Sequence, residues 1–132
     1  MSNHIHSNEA AKPVAAYTQA VRAGDLVFVS GCIPINPSTG ELISDSIENA
    51  TRQSLANVEN ILIGAGLNLK DVVKASVFMI DSDDYAGMNS VYAEIIPQPF
   101  PTREAIFVRG LPKGARVEIS VIAHFPAQNS CC

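Results

Sequence analysis

The sequence predicts an α+β domain in which a single β-sheet carries two helices on one face, in the order β-β-α-β-α-β-β. Three observations point there. Two stretches repeat apolar residues at helical spacing, and each stops at glycines or prolines. Short β-branched runs lie before, between and after them. The last of these runs alternates small apolar residues with charged and polar ones, the pattern of a sheet with one covered face.

The elements follow in order. Residues 17–22 and 26–31 flank Ala23-Gly24-Asp25 and read as a β-hairpin with glycine in the turn. Residues 33–40 hold two prolines and a glycine and form a loop. Asp45 with Glu48 three positions on has capping-box spacing for a helix start. Ile47, Ala50, Leu55, Val58, Ile61 and Leu62 then recur at helical intervals up to Gly64 and Gly66. Val72 to Ile80 is short, apolar and β-branched, as a buried strand is. Asp83 or Asp84 is placed to cap a second helix with Met88, Val91, Tyr92, Ile95 and Ile96 on one stripe. Pro97 and Pro99 end it. Strands at about 104–109 and 116–124 complete the sheet. Residues 1–132 make a single domain, with 1–12 and 126–132 expected as loose termini.

In the last strand Val117, Ile119, Val121 and Ala123 suit the helix side, and Glu118, Ser120, Ile122 and His124 point away. If the last two strands form a hairpin with Arg109 opposite Arg116, Ala105, Phe107 and Arg109 share that second face. The face then mixes apolar and charged groups. A monomer would leave them wet, so a homo-oligomer is expected to cover it. In this hairpin Phe107 lies opposite Glu118, and Arg103 is roughly 13 Å further along the strand. One subunit's Arg103 would then work with a neighbour's Glu118.

Composition narrows the function classes. Hydrophobic residues make up 47% and charged residues 17%, which excludes a disordered chain. A net charge of −4 gives no electrostatic footprint for nucleic acid. No apolar run approaches the roughly 20 residues of a membrane span, and the N-terminus does not read as a secretory signal. Cys32, Cys131 and Cys132 make no disulfide framework, and a cytoplasmic protein is the simplest expectation. His4, His6 and His124 have no metal-ligand spacing.

Two residues carry candidate chemistry. The guanidinium of Arg103, after Phe100-Pro101-Thr102, suits either a carboxylate ligand or a surface clamp. Glu118, mid-strand, is costly to bury unless it pairs with Arg116 or Arg109, or handles water and protons. Pro101-Thr102-Arg103, a strand, then Leu111-Pro112-Lys113 and Val117-Glu118-Ile119 resemble the hallmark segment of the Rid (YjgF) family of imine and enamine deaminases. Tyr17, Ser30-Gly31 followed by Ile33-Pro34, and Asn89 match further points of that family's pattern.

The resemblance spans roughly residues 13–125 and implies a chorismate-mutase-like fold in a homotrimer, sheets inward, with active sites between subunits. It implies hydrolysis of 2-iminopropanoate- and 2-iminobutanoate-type acids to 2-oxo acids and ammonia, without cofactor or metal. It implies that Arg103 binds the substrate carboxylate and that Glu118, with Tyr17, positions water. Ser30, Gly31, Asn89 and the backbone of Ala105 would bind substrate. Departures are Cys32, where many relatives have glutamine, and Ala105, where Cys, Ser or Thr is common. A non-enzymatic metabolite- or protein-binding trimer would use the same clefts, and some relatives are called endoribonucleases.

Overall fold

A computed structural model describes residues 3–126. The tail at 127–132, with Cys131 and Cys132, lies outside the described residues. The strands are β1 (His4–Ile5), β2 (Ala20–Ala23), β3 (Leu26–Cys32), β4 (Val72–Met79), β5 (Thr102–Phe107) and β6 (Val117–His124). They form one sheet in the order β1-β2-β3-β6-β4-β5. Helices α1 (Ile47–Gly64) and α2 (Tyr85–Ile95) pack on one face of it. The expected class and helix placement hold. The N-terminal stretch, expected to be loose, instead supplies an edge strand, with His4 opposite Val21. Buried Gln19 ties it down further, donating to the carbonyls of Ser7 and Ala11.

The first hairpin forms around Gly24-Asp25, where Gly24 adopts φ +62°. Its first strand begins at Ala20, so Tyr17 lies in the preceding loop and not at a strand end. The cap of α1 is Ser46, one residue past Asp45, and its hydroxyl accepts from the Asn49 N–H. Asp84 does not cap α2 with its side chain. That carboxylate is buried and accepts from Arg116 at 2.7 Å, pinning the start of β6 to the start of α2.

The core lies between sheet and helices. From β6 it receives Val117, Ile119, Val121 and Ala123, as the alternation requires. From α1 it receives Leu55, Val58, Ile61 and Leu62.

The expected hairpin of the last two strands does not exist. β5 pairs parallel with β4, while β6 inserts between β3 and β4, antiparallel to both. Residues 108–116 are too long and too bent for a tight turn: Lys113 and Gly114 both have positive φ, at 58° and 72°. They carry the chain past β4 instead. Arg109 therefore does not face Arg116, and Phe107 sits opposite Met79, not Glu118. This reverses the side-chain parity of β5. Arg103, Ala105 and Phe107 align with Ala75, Val77 and Met79 on the helix side. Ile106 takes the open face, with Phe78, Glu118, Ser120, Ile122 and Phe28.

Candidate active site: two half-clefts on one chain

The first half-cleft forms around a β-bulge. Val29 pairs with Val121 and Cys32 with Ile119, so three steps on β3 match two on β6, and Ser30-Gly31 protrudes. The bulge keeps Val29 and Cys32 in the core while turning Gly31 toward Glu118. A methyl group at Gly31 would lie 2.8 Å from the Cδ and Oε2 atoms of Glu118. Only glycine accommodates the carboxylate where it stands.

Tyr17, Ser30, Gly31, Ile33, Pro112 and Glu118 line this cleft of about 360 Å³. The Tyr17 ring is exposed, and its hydroxyl accepts from the Val14 N–H at 3.4 Å. The Ser30 hydroxyl donates to the Thr18 carbonyl at 2.6 Å, so it braces the loop that presents Tyr17.

Glu118 is half-buried, and among the described residues it has neither an ion-pair nor a hydrogen-bond partner. Burial pushes its carboxyl above the usual range. The expected structural partner Arg116 is bound to Asp84 instead. Cys32, behind the bulge, is buried, and burial followed by the charge of Glu118 pushes its thiol up to about 12. Such a thiol is protonated at neutral pH and is no nucleophile.

The second half-cleft lies at the β5 edge of the sheet. Asn89, Tyr92, Ala93, Phe100, Pro101 and Arg103 line about 190 Å³. Helix-side parity aims Arg103 at α2. It donates to Asn89 Oδ1 at 2.8 Å and to the Tyr85 hydroxyl at 2.9 Å. The Tyr92 ring centre lies 4.7 Å from its guanidinium carbon. The Tyr92 hydroxyl is buried without a hydrogen-bond partner among the described residues, and that burial raises its pKa against the opposing pull of Arg103.

The side chains bonded to Arg103 are neutral. Among the described residues its charge has no carboxylate partner.

Ala105 contributes backbone. The Val108 N–H donates to Met79, so donors at even positions of this strand face β4. The N–H and C=O of Arg103, Ala105 and Phe107 therefore point off the free edge of the sheet.

Arg103 and Glu118 do not share a face, contrary to the sequence expectation. Ala75 and Phe78 of β4, opposite Arg103 and Glu118 respectively, are three residues apart, and β4 itself separates the two strands. Strand rise and spacing put the two Cα atoms roughly 14 Å apart, with side chains on opposite sides. One chain thus holds an arginine half and a carboxylate half that cannot meet.

The sequence pattern gives Tyr85 no role and places Tyr92 only on an apolar stripe. Tyr85, Asn89 and Tyr92 stand at i, i+4 and i+7 on α2, a spacing that could have revealed a polar stripe beside Arg103. No group of three or more His, Cys, Asp or Glu side chains suited to a metal ion occurs among the described residues.

The family described as Endoribonuclease L-PSP matches residues 7–125. A RutC family protein of Pyrococcus horikoshii is 44% identical over 124 residues, covering 94% of this chain and 98% of that one. TdcF of Escherichia coli, which carries the provisional name reactive intermediate deaminase, is 38% identical over 93% of this chain and 97% of its own. The solved structure of TdcF with bound serine superposes with a TM-score of 0.89 at 37% identity, covering 93% of this chain and 98% of that one. RidA from a Psychrobacter species gives 0.88 at 36%, covering 92% and 98%.

Proposed function

Because this chain belongs to the endoribonuclease L-PSP family, the Rid family of its solved relatives, we propose that it hydrolyses small 2-imino acids to 2-oxo acids and ammonia. The single observation that carries this reading is Arg103. A partly buried guanidinium is held by two neutral side chains in a cleft, with its charge left for a ligand. A carboxylate is the ligand that fits such a fork.

The two half-clefts act together only between copies of the chain. The open sheet face, with Phe28, Phe78, Ile106 and Ile122 around Glu118, supports an assembly that buries it. We take that assembly to be a homotrimer. Arg103 of one subunit anchors the substrate carboxylate, and Ala105 offers its edge N–H. Glu118 of the neighbour accepts a proton from water as the water oxygen adds to C2 of the imine. Glu118 hands that proton to nitrogen, giving the carbinolamine. It then carries the hydroxyl proton to the same nitrogen as the C2=O bond forms, the C2–N bond breaks and ammonia leaves. Tyr17 stands beside that water. Orientation and fixed dipoles supply the acceleration. Among the described residues no helix is long and apolar enough to cross a membrane. The pI of about 5.2 disfavours an RNA substrate, although the family description names one.

The test generates the imine in situ with a pyridoxal-phosphate dehydratase and follows 2-oxo acid formation with and without this protein. Arg103→Lys keeps the charge but loses the fork, and should lower the rate about 10- to 100-fold. Arg103→Ala should lower it further, with oligomeric state unchanged on the same preparation. Wild-type hydrolysis by an assembled Arg103→Ala variant would remove the arginine from the mechanism.

A further inference from the structure

We infer that Tyr85 is a second carboxylate-binding residue, working beside Arg103 on the same anion; the inference rests on the reading of Arg103 just given. Tyr85 opens α2, and its hydroxyl accepts from Nη2 of Arg103 at 2.9 Å. A guanidinium has no acceptor atom, so the hydroxyl cannot donate back to it. No other hydrogen-bond partner of that hydroxyl occurs among the described residues. Its proton is therefore unspent and lies next to the nitrogens that would hold an anion.

The placement is built. The Tyr85 ring meets Phe107 edge-on, with centroids 6.4 Å apart, and the Arg103 guanidinium carbon lies 5.8 Å from the Tyr85 ring centre. Phe107 is on the helix side of β5 because Met79 is its partner across the parallel pair. Asn89, one turn along the helix, is arranged in the same way: Oδ1 accepts from Nη1 of Arg103 and leaves the amide N–H groups to donate. Each side chain that accepts from Arg103 thus keeps a donor of its own. An anion here meets a cation flanked by donors, whereas an isolated arginine would offer only its fork. The chemistry selects a planar carboxylate, one oxygen of which accepts from Nη2 and from the Tyr85 O–H together.

The test is Tyr85→Phe, which keeps the ring and its contact with Phe107 and removes the one donor. The probe is 2-oxobutanoate, an unreactive 2-oxo carboxylate, titrated calorimetrically into wild type, Tyr85→Phe and Arg103→Ala. Loss of a hydrogen bond to a charged ligand should weaken binding by Tyr85→Phe about tenfold. In hydrolysis the loss should fall on KM and not on kcat. Wild-type affinity in Tyr85→Phe, with binding abolished in Arg103→Ala, would overturn the role of Tyr85 and leave the arginine's role standing. Wild-type affinity in Arg103→Ala would overturn both.

Discussion

Gly31→Ala should separate folding from chemistry. The added methyl would lie 2.8 Å from two atoms of the Glu118 carboxyl and 3.0 Å from its Cγ. Carbon contacts settle at about 3.5–4.0 Å, so the carboxylate must retreat by about 1 Å. The retreat is easy, because Glu118 is the end of a flexible side chain held by no partner among the described residues. The backbone at Gly31 lies outside the left-handed region, so alanine meets no torsional strain there. Removing a glycine from the unfolded chain gains about 0.5–1 kcal/mol. Residual crowding should take back a similar amount, leaving stability within about 1 kcal/mol of wild type. A 1 Å misplacement of a catalytic group, in contrast, costs about 100-fold in rate. The assay is imine hydrolysis and thermal unfolding on the same preparation. Adding Gly31→Ala to Glu118→Ala should lower the rate no further, since both act through one carboxylate. A Gly31→Ala variant with wild-type rate would refute the claim that the position of Glu118 matters to catalysis.

Two further outcomes are expected. Burial raises the folded-state pKa of Glu118 above its unfolded value, so the folded chain holds that proton more tightly. The associated stability is present below about pH 4 and is lost as pH rises through the raised pKa. Glu118→Gln cannot ionise, so its Tm should exceed wild type at pH 7 and converge with it at pH 4; a constant difference across that range would contradict the cause assigned to the shift. Sedimentation equilibrium at micromolar concentration should give about three times the 14.1 kDa chain mass, and a monomer there would remove the shared site.

The alternation of β6 fixes its covered face without reference to any neighbour, and so Glu118 was legible on the open side. The face of Arg103 was not. It depends on which strand β5 pairs with, and a sequence does not display that partner when residues 108–116 can be drawn either as a hairpin loop or as a passage across another strand. Adjacent elements pair often enough to favour the hairpin, and one wrong partner inverted every side chain of the strand at once. Asp84 misled for a related reason. An acidic residue before a helix looks like a cap, but the nearby guanidinium of Arg116 competes for it and forms the stronger, charge-assisted bond. Gly31 showed as a strand-ending glycine, while its real constraint, the carboxyl across the bulge, exists only after pairing.

The position of β6 has a consequence for how the chain acquires its structure during synthesis. It is the last of the described strands, yet it sits between β3 and β4, which do not pair with each other. Until it arrives, the sheet is two separate pieces: β1-β2-β3 on one side and β4-β5 on the other. The nascent chain therefore carries unpaired apolar edges on both pieces until residues 117–124 emerge from the ribosome, a state exposed to misassembly. Closure is then a single late step of long sequence separation, since Val27 must find Ala123. A chain truncated before Val117 would lose the seam that makes its two halves one sheet, and not merely an edge.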